Sequence, residues 1–93
     1  MQIEFDSIKH QKTLNERGLD FARAGEVFAG PLLNWRDDRF EYGEPRFITF
    51  GLLDQRWVII VWTPRGEARR IISMRKANER EINNYAKRVD RLR

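Results

Sequence analysis

The sequence predicts one α+β domain, spanning residues 1–93, in which a mostly antiparallel sheet carries an N-terminal helical hairpin and a C-terminal helix in the order β-α-α-β-β-β-β-α. Three observations predict it. Residues 57–62, Trp-Val-Ile-Ile-Val-Trp, are a β-branched and aromatic run apolar on both faces, as a central strand covered on both sides requires. An arginine-bearing strand at 68–75 feeds directly into a charged segment opened by Asn78-x-x-Glu81, the pattern of a helix N-terminus. Two short helical segments, one stopped at Gly18 and the other at Gly30-Pro31, precede all but the first strand.

Each element has its own local reason. Residues 2–5 alternate polar and apolar, turning Ile3 and Phe5 inward. Asp6 or Ser7 caps a helix that runs to about Arg17, where Gly18 supplies the positive φ of a helix stop. Asp20 caps a second helix, with Phe21, Ala24 and Phe28 at i, i+3 and i+7 and Val27 beside them. Residues 32–36 suit a short strand, and 37–43 read as a solvated acidic loop. Strands at 46–53 and 56–63 are joined at Asp54-Gln55, and Thr63-Pro64-Arg65-Gly66-Glu67 is a turn. In the strand that follows, alternation puts Arg69, Ile71, Ser73 and Arg75 on one face and Arg70, Ile72 and Met74 on the other. The last helix, 78–92, gathers Ile82, Tyr85, Val89 and Leu92 into an apolar stripe and sets Lys87, Arg88, Arg91 and Arg93 on its outer face.

Composition narrows the functions. The absence of cysteine excludes disulfides and thiolate metal sites. No apolar run approaches the roughly 20 residues that span a bilayer, and Met-Gln-Ile-Glu-Phe-Asp is no signal peptide, so a soluble, cytoplasmic protein without membrane contact is expected. Charge is polarised along the chain. Residues 1–64 hold eight Lys/Arg against ten Asp/Glu, and residues 65–93 hold ten against four. A basic C-terminal third favours a polyanion such as RNA, or an acidic protein partner.

The sole histidine, His10, lies on a weakly amphipathic helix and reads as a surface residue, which argues against a His-based triad. No glycine-rich loop precedes a helix, and the spacing of Asp37, Asp38, Glu41 and Glu44 matches no established calcium loop. What remains is Arg46, Arg65, Arg69, Arg70, Arg75, Lys76 and Tyr85, with Glu44 and Glu81 nearby in sequence. Cleaving RNA through its own 2′-hydroxyl needs a base, positive charge for a phosphorane-like transition state, and a proton for the leaving 5′-oxygen. None of these demands a metal, a cofactor or a histidine. Arg75 and Arg65 are assigned to the transition-state phosphate, Arg46, Lys76 and Arg70 to substrate binding, and Glu44 or Tyr85 to proton transfer. A non-catalytic RNA-binding or protein-interaction module using the same basic face is the alternative.

The motifs Gly43-Glu44-x-Arg46, Gly51, Thr63-x-Arg65-Gly66, Arg70-Ile71-Ile72-Ser73-x-Arg75-Lys76-Ala77 and Arg80-Glu81-x-x-x-Tyr85 resemble the BrnT family of bacterial type II toxins, and Phe5-Asp6, Leu14, Gly18, Phe21 and Val27-Phe28 fit the same pattern. The resemblance implies a RelE-like ribonuclease fold and an RNA-cleaving activity that halts translation. It also implies a BrnA-like antitoxin with a ribbon-helix-helix DNA-binding part. Dimerisation of that part would give a complex of two toxins and two antitoxins that meets operator DNA only through the antitoxin. Two positions depart from the pattern. Glu16-Arg17-Gly18 stands where many members read Lys-His-Gly, and Met74 replaces a small residue. Arg17 keeps the positive charge for substrate binding but does not shuttle protons near neutral pH.

Overall fold

The Asp6 carboxylate accepts the backbone N–H groups of Ile8 and Lys9 at 2.8 and 3.0 Å, and this cap launches the first helix. The structure, a computed structural model, describes residues 1–92. Strand β1 (Gln2–Phe5) is followed by α1 (Ser7–Arg17), which stops at Gly18 in the left-handed conformation at φ 68°. Asp20 caps a single 3-10 turn, Phe21–Arg23, that runs on into the six-residue helix α2 (Ala24–Ala29). The second helix expected from sequence is therefore split, yet Phe21, Ala24, Val27 and Phe28 are all buried as its spacing requires.

Strands β2 (Leu32–Arg36), β3 (Phe47–Leu53), β4 (Arg56–Arg65) and β5 (Ala68–Lys76) join β1 in one sheet ordered β1-β5-β4-β3-β2, and α3 (Glu79–Leu92) closes the described chain. β1 pairs parallel to β5, and the other pairings are antiparallel. β4 is central, and its Val58, Ile59, Ile60 and Trp62 are buried. One side of the sheet holds the larger apolar cluster, including Ile60, Trp62, Ile71 and Met74, beneath α2 and the 3-10 turn. The other side packs Phe50, Ile59, Trp57 and Trp35 against Tyr85, Ala86 and Val89 of α3. Gly51 lets α2 come down onto β3: a Cβ there would lie 2.7 Å from a Val27 methyl.

Several local expectations are corrected. β4 runs on to Arg65, so the turn shrinks to Gly66-Glu67. Pro64 is tolerated because β3, which begins at Phe47 opposite Trp62, leaves that stretch of β4 without a neighbour on one side. In β5 the alternation breaks, because Val61 pairs with Ser73 whereas Trp62 pairs with Ile71. Ile72 is thus an extra residue in a bulge, which places Ile71 with Met74 on one side and Ser73 with Arg75 on the other. His10 is no free surface histidine: its Nε2 lies 2.7 Å from Asp20, and its ring packs on Phe5 and Phe21. Leu92 is 70% exposed and falls off the apolar stripe of α3, and Arg93 lies outside the described residues.

Candidate active site

α3 covers only part of its side of the sheet. Val61, which pairs with Ser73 and with Ile48 of that side, and Ser73 itself stay half-buried there, leaving a patch of open floor. Arg75 borders it. Its two Nη atoms donate to the two Glu81 oxygens at 2.8 Å each, and Glu81 in turn accepts the backbone N–H of Asn78 at 2.9 Å while Asn78 accepts that of Glu81. The capping box that starts α3 therefore also aims the Arg75 guanidinium. The hydrogen bonds from Arg75 hold Glu81 below the usual carboxylate range, so it is an anchor near neutral pH rather than an acid. The same pair raises the pKa of Arg75, while the guanidinium of Arg39 is near enough to act against its charge.

Arg39 leads to a second cluster, on the loop between β2 and β3. The Asp37 side chain is only 1% exposed, and it accepts the Arg39 backbone N–H, Nε and Nη2 at 3.2, 2.8 and 2.9 Å and the Tyr42 hydroxyl at 3.0 Å. Its carboxyl is held far below the usual range, chiefly by the Arg39 side chain and against the opposing effect of burial. The loop read as solvated and acidic is thus organised around a buried aspartate, a role its composition does not reveal. Arg46 stacks over the Tyr42 ring at 4.1 Å and reaches Glu44 at 3.4 Å, and Arg65 reaches the same carboxylate at 3.3 Å.

The residues singled out from sequence therefore fall into groups. Glu44, Arg46 and Arg65 meet. Arg75 and Arg65 share one side of the sheet, but their backbones lie near opposite ends of it: Arg65 pairs with Ala68, seven residues before Arg75, or roughly 20 Å along a strand. Arg70 pairs with Glu4 at 3.5 Å on β1. The Tyr85 ring packs between Trp35 and Phe50, with centroids 5.1 and 5.4 Å away. Arg17 and Lys76 lie with Glu16 and Arg75 around a depression beside β5, and Arg17 Nη1 donates to the Met74 carbonyl at 2.9 Å, so the two departures from the family pattern touch each other. Sequence reasoning missed Asp37 and Arg39 as members. Their only prior signal was an Asp two residues before an Arg, too common to carry weight.

Fold and arginine-lined face together define a small α+β protein built to hold an anionic substrate. A sequence model of the family described as "Ribonuclease toxin, BrnT, of type II toxin-antitoxin system" matches residues 5–81, and the chain belongs to that family. Among solved structures it is similar to the crystal structure of the Brucella abortus ribonuclease toxin BrnT, with 28% identity over 85% of this chain and 99% of that one and a TM-score of 0.68. No curated protein matches the chain by sequence. Membership makes this a ribonuclease toxin with RNA as substrate and an antitoxin as partner. No helix among the described residues is long and apolar enough to cross a membrane.

Proposed function

We propose that the chain is a metal-independent, RelE-like endoribonuclease that halts translation by cleaving RNA through the 2′-hydroxyl of its substrate. The observation that carries this reading is the bidentate Arg75–Glu81 pair at the margin of an open sheet face. Glu81 takes one donor from each Nη and Nη1 also reaches the Lys76 carbonyl at 3.4 Å, which leaves Nε and the second Nη2 hydrogen for a phosphorane oxygen. A donor fixed in advance needs no reorganisation when charge develops. Arg39 adds positive charge next to it, and Arg46 and Arg65 hold the substrate further along the face. Of the two candidates for proton transfer, the placement favours Tyr85. It lies one helical turn beyond Glu81, and its hydroxyl makes no hydrogen bond among the described residues, whereas Glu44 is tied between Arg46 and Arg65.

A BrnA-like antitoxin with a ribbon-helix-helix part would silence the enzyme in a complex of two toxins and two antitoxins, and only that part would touch operator DNA. The non-catalytic alternative draws on the ion pairs themselves: Arg75, Arg65, Arg46 and Arg70 each have a carboxylate partner, as purely structural arginines would. Expression without the antitoxin, with growth and RNA integrity followed, separates the two. Wild type should degrade RNA, and Arg75→Ala should lose about 100-fold or more while staying folded. Arg75→Lys should recover only part, because an ammonium lacks the planar fork. A folded Arg75→Ala protein that cleaves normally removes this arginine from the chemistry.

A further inference from the structure

Resting on the ribonuclease reading, we infer that the groove between α1 and the open edge of β5 is a track for the phosphate backbone of single-stranded RNA. Lys9, Lys12, Arg17 and Lys76 hold the backbone, and the track ends at Arg75.

The groove exists because β1 is short. It pairs with β5 only from Ala68 to Ile71, so from the Ile72 bulge to Lys76 β5 has β4 on one side and no strand on the other. α1 lies there instead. None of its residues is fully buried, and Lys9, Lys12 and Arg17 line the depression in which Ile72 and Ser73 also lie. Positions 9, 12, 13, 16 and 17 make up the broad face of α1 that lines it, with Glu16 one turn beyond Lys12, and from Lys9 to Arg17 the helix rises about 12 Å. A second depression shares Glu16 and Arg17 with the first and is lined by Lys76 and by Arg75, the residue placed at the reacting phosphate.

Charge distinguishes this groove from the open sheet face, and the exposed Lys87, Arg88 and Arg91 of α3 are further cations outside the ion pairs. The arginines of the open sheet face are neutralised by carboxylates, as are Arg23, Arg36 and Arg39. Among the described residues Lys9, Lys12, Arg17 and Lys76 make no ion pair, and Glu16 is the one carboxylate beside them in the lining. Unpaired cations along a groove suit a ligand with regularly spaced negative charges. They also release counterions on binding, which makes affinity fall steeply with salt. A peptide strand added to the β5 edge fits less well, since the Met74 carbonyl on that edge already accepts from Arg17.

The test compares the purified chain with a Lys9→Gln/Lys12→Gln variant on a short single-stranded RNA and on a dinucleotide, from about 50 to 200 mM salt. Both lysines are exposed, so the fold should survive, which circular dichroism checks. On the longer RNA, KM should rise several-fold at low salt with kcat unchanged. The log–log salt slope of kcat/KM should flatten by about 1.4, or roughly 0.7 for each phosphate that the variant no longer neutralises. Dinucleotide cleavage should not change, because that substrate does not reach the lysines. An unaltered KM and salt slope in the folded variant overturns the inference. So does a variant with normal RNA kinetics and weakened inhibition by the antitoxin, which would make the groove a protein-docking surface. If wild type cleaves no RNA, the ribonuclease reading has failed instead. Fluorescence anisotropy of the labelled RNA on wild type and variant then decides the groove by the same salt-slope criterion.

Discussion

Asp37→Asn tests whether one buried carboxylate organises the β2–β3 loop. The side chain accepts two bonds from the Arg39 guanidinium, one from the Arg39 backbone and one from Tyr42. Asparagine keeps the shape but turns an N–H₂ donor toward groups that act here as donors. Removing charge-assisted bonds at a site this buried should destabilise the fold by about 2 to 4 kcal/mol at pH 7, measured by urea unfolding. The sign of the pH dependence follows from the depressed pKa. The wild-type advantage is fully present above the unfolded-state value near 3.9 and is lost as pH falls through the much lower folded-state value. The gap between wild type and variant should therefore be constant from about pH 7 to 5 and shrink below about pH 4. Amide exchange at Arg39, whose N–H Asp37 accepts, should speed up in the variant. A gap under about 0.5 kcal/mol at pH 7, or one undiminished in strong acid, would refute this account of the loop.

Three further outcomes are expected. Gly51→Ala should destabilise by about 1 to 3 kcal/mol, because its Cβ would meet a Val27 methyl at 2.7 Å; adding Val27→Ala should recover part of the loss, and strictly additive effects in a double-mutant cycle would contradict the contact. Glu81→Gln should lower kcat about 10- to 100-fold on a dinucleotide with little change in KM, since it frees the Arg75 guanidinium without removing it; unchanged kcat would mean that the pair is only structural. Charge reversal at Arg88 and Arg91, exposed on α3, should slow association of the antitoxin and flatten its salt dependence while leaving RNA cleavage intact, as stopped-flow binding would show.

Most elements were legible because their signals are local. Asp6, Gly18, Asp20 and the Asn78–Glu81 pair act within three or four residues of themselves, and the 57–62 run identifies a central strand from its own composition. The family motifs were legible for the same reason, as short strings at short spacing. Tertiary structure decided what depends on distant partners. The Ile72 bulge arises from the register between β4 and β5, and it set Ile71 on the side of Met74, where strict alternation puts it with Ser73. Asp37 is buried because Arg39 and Tyr42 fold back onto it, although by composition it belongs to a solvated loop. The basic C-terminal third is largely paired where it meets the sheet, since Glu4 and Glu44, far away in sequence, neutralise Arg70 and Arg65. The unpaired cations beside Arg75 come mainly from α1, in the half of the chain whose formal charge is negative. Local periodicity determines which residues share an element, but which charges remain unpaired is settled only when the sheet brings distant carboxylates within reach of some cations and leaves others facing water.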